Sequence, residues 1–204
     1  MHCLRTKKSQ NKQLQDFANC GQTIMNKAIF LDRDGTIIEE RGYIKNADEV
    51  IFIDNVFKAL QMLQKHYKLF IVTNQSGIGK NIITAQDVDN INRYILTAMR
   101  EQNIIITDIY VCPHKRDAQC ECIKPKPFFL HKAAAAYNID LKKSFSIGDH
   151  PHDVELAQNV GGKGIYLLTG HGTKHLGEIQ SKAIVFSDID SAADWIVKNN
   201  NTFY

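Results

Sequence analysis

The sequence predicts an α/β fold in which a central parallel sheet lies between two layers of helices. Three observations indicate this class. Short apolar runs alternate along the chain with longer segments of helical character. Several of these runs end in polar residues followed by a glycine turn. The chain has 204 residues, a length that suits one domain with a full core.

Six strands and five helices are expected in alternation, which favours right-handed crossovers between parallel strands. The strands are predicted near 27–32, 68–72, 105–111, 144–147, 163–168 and 183–186, and the helices near 55–66, 84–101, 127–137, 153–159 and 189–199. Asn55 and Thr84 are plausible helix N-caps. No segment between these elements is long enough for a large separate cap domain, so an open site is expected.

The first strand ends in Asp32-Arg33-Asp34-Gly35-Thr36. Alternation along an extended chain puts Asp32 and Asp34 on the same side. Ligands of open α/β sheets bind at the carboxyl ends of the strands. Two carboxylates there could hold a hard cation, or divide the roles of nucleophile and proton donor. The alternative is a strand that simply ends in a polar turn.

Three later segments supply partners for this pair. The second strand ends in Thr73 and Asn74, whose donors could bind a phosphoryl group. Lys124 precedes Pro125 and Pro127, which fix the backbone there and could aim its ammonium inward, although a solvated lysine is the alternative. A third strand runs into a GDxxxD pattern with Asp149 and Asp153, where Asp153 could instead cap the next helix.

A cluster of thiols and one imidazole precedes Lys124 and predicts a structural zinc site. Cys112, His114, Cys120 and Cys122 form a C-x-H-x5-C-x-C pattern within one short loop. Three thiolates and an imidazole make a closed tetrahedral set for Zn²⁺. A disulfide is the alternative, but adjacent C-x-C cysteines seldom bridge each other. The other two cysteines lie in residues 1–24.

The ordered set of DxDGT, strand-end Thr-Asn, Lys-Pro and GDxxxD resembles the four motifs of the haloacid dehalogenase (HAD) superfamily of phosphotransferases. The resemblance covers roughly residues 27–198. It implies a three-layer, Rossmann-like HAD fold and an Mg²⁺-dependent phosphatase. A second carboxylate in the first motif separates the phosphatases from the dehalogenases of this superfamily.

By this resemblance, Asp32 attacks phosphorus to form an aspartyl-phosphate, and Asp34 is the general acid and base. A phosphate dianion repels a carboxylate by about 4 kcal/mol per unit pair at ~4 Å and an effective dielectric of ~20. Mg²⁺ held by Asp32, the backbone carbonyl of Asp34 and Asp149 would offset that repulsion. The phosphoryl group would be bound by Thr73, Asn74 and Lys124.

Residues 112–122, which carry the four predicted zinc ligands and which we call the zinc loop, resemble the loop before the motif lysine in two phosphatase families of the superfamily. One is the heptose 1,7-bisphosphate 7-phosphatases of heptose and lipopolysaccharide synthesis, which Gly42-Tyr43 and residues 73–79 also match. The other is the histidinol-phosphate phosphatase domain, and this chain shows no fused dehydratase domain. Those families commonly carry a substrate-contacting arginine where this chain has Ile123. Lys126 or Lys80 could replace it. A non-catalytic zinc-loop binding module is the alternative from another functional class.

Charge and composition restrict the partners. Residues 1–24 hold four basic residues and one acidic residue, which accounts for the whole net charge of +3. A neutral remainder does not favour nucleic-acid binding, and no apolar run is long enough to span a membrane. Clustered thiols favour a reducing cytoplasm. A small phosphorylated sugar is the expected partner, and the enzyme is expected to be a monomer.

Two regions receive no catalytic role from the sequence. Residues 1–24 are predicted to be a disordered extension before a phosphatase domain at 25–204, or the product of a misassigned start; a short docking arm is the alternative. His150 and His152 are expected to be exposed beside a helix cap. No role is assigned to His171 or His175.

Overall fold

Successive residues of the first strand, β1 (Ala28–Leu31), face opposite sides of the sheet. Ala28 and Phe30 belong to one buried apolar cluster, whereas Ile29 and Leu31 belong to another. A strand that is buried on both faces reads as a continuous apolar run, which is typical of parallel sheets covered by helices. The computed structural model describes residues 25–179 and 183–199.

The described residues form a six-stranded parallel sheet with the order β3-β2-β1-β4-β5-β6. The strands after β1 are β2 (Lys68–Asn74), β3 (Ile106–Cys112), β4 (Phe145–Gly148), β5 (Lys163–Leu167) and β6 (Ile184–Phe186). The order reverses direction at β1, which pairs with both β2 and β4. This is the topological switch point, where open α/β sheets bind their ligands.

Helices cover both faces of the sheet. They are α1 (Val56–Leu63), α2 (Ser76–Gly79), α3 (Ala85–Glu101), α4 (Phe128–Tyr137), α5 (Pro151–Gln158), α6 (Gly172–His175) and α7 (Ile189–Asn199), with short 3-10 turns at Ala47–Glu49, Leu141–Lys143 and Leu176–Glu178. Buried residues of α1, α3 and α7 pack on one face, and those of α4 and α5 on the other. The predicted three-layer arrangement without a large cap is therefore confirmed.

The helix boundaries agree with the sequence patterns, with some local differences. Thr84 caps α3 through a reciprocal capping box with Asp87. Asn55 precedes α1, but it takes a left-handed conformation and its side chain makes no cap hydrogen bond. The helix predicted at 153–159 begins at Pro151, because His150 is its N-cap and Asp153 completes the capping box from inside the first turn. The prediction of Asp153 as the cap itself is therefore wrong.

The predicted disordered extension at residues 1–24 receives no structural test. These residues, which include Cys3 and Cys20, lie outside the described residues.

The sequence does not predict the short helices α2 and α6, since four residues give no helical period to read. None of the helices in the described part of the chain combines the length and the apolar character that a membrane crossing requires.

Candidate active site

The polar residues predicted to act together meet where β1, β2 and β4 end. The register pairs Leu31 of β1 with Ile71 of β2 and with Ile147 of β4, so the residues that follow each strand share one edge. They line a cavity of about 580 Å³. Its lining includes every predicted catalytic and phosphoryl-binding residue: Asp32, Asp34, Thr73, Asn74, Lys124 and Asp149.

Lys124 is buried between two carboxylates. Its Nζ donates to Oδ1 of Asp32 and to Oδ1 of Asp153, each at 2.6 Å. Burial alone would lower the pKa of Lys124, but Asp153 and Asp32 outweigh burial and raise it. The ammonium is therefore charged. The alternative of a solvated lysine is wrong, because only 6% of the side chain is exposed.

Asp32, Asp149 and Asp153 form a carboxylate cluster whose oxygens lie within 4.8 Å of one another. Only Lys124 faces them with positive charge at salt-bridge distance in the described residues. Burial raises the pKa of Asp32 well above its usual value. Burial, followed by repulsion from Asp153, raises the pKa of Asp149 to about 7. When all three carboxylates are ionised, they and the one ammonium carry a net charge of −2, and this donor set fits a divalent hard cation.

Asp34 is held by donors on two sides. The Arg33 guanidinium donates to both carboxylate oxygens at 3.0 Å, and Arg33 is itself anchored on Asn92 at 3.1 Å. Gln75 Nε2 donates to Asp34 Oδ2 at 2.8 Å and also to Thr73 Oγ1 at 2.8 Å. The carboxylate is thus fixed at the edge of the cavity with part of its surface open.

Thr73 and Asn74, the last two residues of β2, make different contacts. Thr73 is buried, and its hydroxyl lies 3.5 Å from Asp34 Oδ2. Asn74 accepts the backbone N–H of Lys124 through Oδ1 at 3.1 Å. Asn74 therefore fixes the loop that carries Lys124, and its amide nitrogen is left to donate into the cavity that it lines.

Asp149 is held against the backbone of the first motif. Its Oδ2 accepts the N–H of His171 at 2.6 Å. Gly35 has a φ of +80°, and a Cβ at this position would overlap the Asp149 carboxylate. A glycine is required here both by the left-handed conformation and by the close approach. The DxDGT turn thus brings Asp149 beside the other carboxylates.

The predicted zinc ligands meet at one point. Sγ of Cys112 lies 3.8 Å from Sγ of Cys120, 3.2 Å from Sγ of Cys122 and 3.6 Å from Nδ1 of His114. Sγ of Cys122 lies 3.3 Å from that nitrogen and 3.9 Å from Sγ of Cys120. Tetrahedral ligands at a Zn–S distance of ~2.3 Å are separated by about 3.8 Å, so the set fits zinc. The three cysteines are free thiols, so the disulfide alternative is not supported.

The zinc loop is attached to the catalytic edge at both of its ends. Cys112 ends β3 beside Asn74, and Cys122 is followed by Ile123 and Lys124. Lys126 Nζ donates to the carbonyl of Cys120 at 2.7 Å and pairs with Glu121 at 3.3 Å. Lys126 is thus a brace of the loop and does not line the cavity, so its suggested role as a substitute for the missing arginine is wrong.

The outer part of the cavity carries a second set of polar side chains. Tyr43, Lys80, Arg116 and Glu40 line it together with the apolar Ile123. His150 and His152 also line it and are half-buried, so the expectation that they are exposed is wrong. Burial, followed by repulsion from His152, lowers the pKa of His150 to about 4, which leaves the His150 ring neutral at neutral pH.

Some site residues were not assigned a role from the sequence. Arg33 and Gln75 hold Asp34, and Arg116 lines the cavity. Arg33 lies within the DxD motif and Gln75 directly after the Thr-Asn pair, so their positions were a usable signal. Arg116 lies in a polar loop whose path the sequence does not give.

Three comparisons relate this chain to known proteins. Residues 121–192 match the HAD-hydrolase-like family model. A D-glycero-β-D-manno-heptose-1,7-bisphosphate 7-phosphatase of Haemophilus ducreyi is 35% identical over 80% of this chain and 95% of its own length. The histidine biosynthesis bifunctional protein HisB of Buchnera aphidicola is 37% identical over 69% of this chain, but over only 40% of its own length.

A solved structure is similar over nearly the same region. The D,D-heptose 1,7-bisphosphate phosphatase of B. bronchiseptica, crystallised with magnesium and phosphate, superposes with a TM-score of 0.79 at 26% sequence identity. The match covers 85% of this chain and 99% of that chain.

Proposed function

The chain belongs to the HAD-like phosphatase family, and from this membership we propose that it removes the 7-phosphate of D-glycero-D-manno-heptose 1,7-bisphosphate. Relatives with that name match it over most of their length. The observation that carries the reaction class is the pair Asp32 and Asp34 in one cavity with Lys124 and the carboxylate cluster. The residue roles below are part of the proposal.

Asp32 is the proposed nucleophile. Lys124 occupies its Oδ1, and Oδ2 has no hydrogen-bond partner among the described residues. In the first step, this oxygen bonds to phosphorus while the bond from phosphorus to the sugar oxygen breaks. In the second step, water attacks the aspartyl-phosphate, phosphate leaves and the Asp32 carboxylate is restored.

Asp34 is the proposed proton carrier. It donates a proton to the sugar alkoxide as the alkoxide leaves, and it later accepts one from the attacking water. Gln75 and Arg33 hold its carboxylate in position for both transfers. Thr73, the amide nitrogen of Asn74 and Lys124 would bind the oxygens of the transferred phosphoryl group.

Mg²⁺ would be held by Asp32, the backbone carbonyl of Asp34 and Asp149. When bound, it would supply positive charge that offsets the repulsion between phosphate and carboxylate. The excess negative charge of the carboxylate cluster supports this assignment, and a related phosphatase was crystallised with magnesium and phosphate. Asp153 takes the different task of orienting Lys124.

Zn²⁺ would be held by Cys112, His114, Cys120 and Cys122 and would be structural. Four protein ligands leave no open position for a reacting group. The loop that they close ends at Lys124, so its order fixes the position of the catalytic ammonium. Three reduced thiols favour the cytoplasm as the compartment, and we propose a monomer.

Histidinol phosphate is the second candidate substrate. The similarity to a bifunctional histidine-biosynthesis protein, at 37% identity over 69% of this chain, supports it. The match covers 40% of that protein, whereas the match to the Haemophilus ducreyi heptose phosphatase covers 95% of that enzyme. The sugar bisphosphate therefore remains the main proposal.

Phosphate release with Mg²⁺ and with EDTA tests the proposal. The substrates are both anomers of the heptose bisphosphate, simpler sugar phosphates and histidinol phosphate, each with an Asp32→Asn variant as the control. We expect Mg²⁺-dependent release that prefers the heptose bisphosphate and disappears in the variant. Preference for histidinol phosphate would select the second candidate. A lack of Asp32-dependent release from every substrate would overturn the proposed activity.

A further inference from the structure

The cavity extends beyond the proposed catalytic residues to a wall that carries Glu40 and two cations, and neither cation forms an ion pair within the described residues. Lys124 is committed to Asp32 and Asp153, so it cannot also bind a distant group of the substrate. Lys126 is committed to the zinc loop. Ile123 contributes only apolar surface. The remaining cations of this cavity are Lys80 and Arg116.

Lys80 is positioned by an aromatic residue and a short helix. Its Nζ donates to Tyr43 Oη at 2.8 Å, and that hydroxyl lies 3.1 Å from Ser76 Oγ. A Cβ at Gly77 would lie 2.6 Å from Tyr43 Cδ1, so the glycine makes room for the ring. These contacts fix the ammonium at the edge of the cavity without neutralising its charge.

Arg116 reaches the same cavity from the zinc loop. Its Nη2 lies 3.5 Å from Nε2 of His150. Neither Arg116 nor Lys80 has a carboxylate within salt-bridge distance among the described residues. Two cations therefore face a shared space with their charge available to a ligand.

The backbone brings these two cations together. Gly79 donates its N–H to the carbonyl of Pro113 at 2.9 Å, which joins the end of α2 to the start of the zinc loop. A Cβ at Gly79 would lie 2.9 Å from that carbonyl oxygen. Lys80 follows this contact directly, and Arg116 lies three residues beyond Pro113. A dianion between them would relieve the repulsion of like charges.

We propose that Lys80 and Arg116 form a subsite for a second phosphate of the substrate, the one that is not transferred. This inference rests on the proposed function and deepens it. The guanidinium binds phosphate through a planar fork, while the ammonium acts as a compact charge. The pair thus supplies the cation that Ile123 does not. The substrate class is a sugar that carries two phosphates, one at the catalytic edge and one at the outer wall.

The test measures kcat/KM for the heptose 1,7-bisphosphate and for the heptose 7-phosphate, and uses their ratio. Lys80→Gln and Arg116→Gln should each lower this ratio at least about tenfold, because a hydrogen bond to a charged group is lost. The double variant should lower it further, mainly through the KM of the bisphosphate. Lys65→Gln is the control. It removes the same charge from an exposed position that lines neither this cavity nor the adjoining one, which Lys80 and Arg116 line together with Lys115.

The inference is overturned if the wild-type ratio is close to one, or if the double variant keeps the wild-type ratio. With either of these outcomes, Asp32-dependent hydrolysis of the 7-phosphate would still support the proposed phosphatase activity. If neither sugar is hydrolysed, the proposed function fails, and calorimetry with the Asp32→Asn protein decides the subsite. Tighter binding of the bisphosphate than of the 7-phosphate, lost in the double variant, supports the subsite; equal affinities overturn it.

Discussion

Asp34 illustrates how single residues of this site depend on their neighbours. Its carboxylate accepts hydrogen bonds from both Arg33 and Gln75. Arg33 is almost fully buried and is anchored on Asn92 of α3. The proposed proton carrier is thereby oriented from two sides, by its chain neighbour and by a residue that follows β2.

Replacing Asp34 by asparagine should separate proton donation from nucleophilic attack. We expect release from a sugar phosphate to fall by about 10²–10⁴, since an alkoxide needs a proton to leave. Single-turnover release of p-nitrophenol from its phosphate should fall much less, because a phenolate leaves without one. Rapid-quench measurements on both substrates check this. An equal loss on both would contradict the role of Asp34 as an acid.

Asp149 predicts a pH dependence of stability. Its folded-state pKa is raised from the usual 3.8 to about 7. The folded protein therefore binds an additional proton between those values, and this stabilisation is lost as the pH rises through the folded pKa. Without Mg²⁺, the melting temperature should fall as the pH is raised from about 5 to about 8.

Two controls belong to the Asp149 experiment. Asp149→Asn should flatten the fall of melting temperature with pH, because its side chain carries no proton to lose. Saturating Mg²⁺ should also reduce the fall by stabilising the ionised carboxylates. The same slope in wild type and variant would contradict the assignment of the effect to Asp149.

Most residues of the site follow from the sequence because strand ends carry a local pattern. An apolar run followed by Asp32 or by Thr73 indicates a buried strand and shows that the polar residue lies at its carboxyl end. The pairing of Lys124 with Asp153 does not follow, because it joins positions on different loops. The half-burial of His150 and His152 was also missed, since it depends on Arg116 and on the segment that carries His175.

The zinc loop is the element on which the position of Lys124 depends. It runs from the end of β3 to Lys124 and, within the described residues, has no regular helix or strand of its own. A loop of this length needs a constraint to hold a fixed shape. The sulfur and nitrogen separations provide one if zinc is bound.

Cys120→Ser should remove zinc and reduce turnover without removing any catalytic group. We expect about one zinc per chain in the wild type by elemental analysis, none in the variant, a lower melting temperature, and at least about a tenfold loss of kcat through misplacement of Lys124. Ser191→Ala, which removes one side-chain oxygen at an exposed position of α7 outside both the loop and the cavity, is the control. Unchanged folding and turnover in zinc-free protein would contradict a structural role for the metal.

Helix α1 shows how burial determines the cost of a substitution within one element. Leu60 is fully buried between the sheet and its neighbours, whereas the Lys58 side chain is 60% exposed and pairs with Asp190. Leu60→Ala should lower the free energy of unfolding by about 2–5 kcal/mol. Lys58→Ala should lower it much less, because an ion pair in contact with solvent contributes little to stability. Urea denaturation of both variants checks the difference, and similar values for the two would contradict the described packing.

The elements were predicted to within a few residues because their apolar periods are long enough to read. α3 has both a capping box and a buried stripe, and its observed start at Ala85 is within one residue of the prediction. α5 begins earlier than predicted because a proline occupies its first position after the His150 cap. α2 and α6 are single turns whose positions depend on tertiary contacts.

At the scale of the whole molecule, the reversal of strand order at β1 produces the site. It places the residues after β1, β2 and β4 along one edge. The zinc loop then closes one side of the cavity with Ile123, Lys124 and Arg116. The fold class follows from alternation of elements in the sequence, but the shape of this cavity depends on loop paths that no local pattern specifies.

The position of the phosphate that is removed tests the central claim most directly. The protein is incubated with Mg²⁺ and D-glycero-D-manno-heptose 1,7-bisphosphate while ³¹P NMR follows the two phosphate signals. We predict that the 7-phosphate signal is replaced by inorganic phosphate, that the 1-phosphate signal remains, and that Asp32→Asn shows neither change. Loss of the 1-phosphate, or release by the Asp32→Asn protein, would contradict the account.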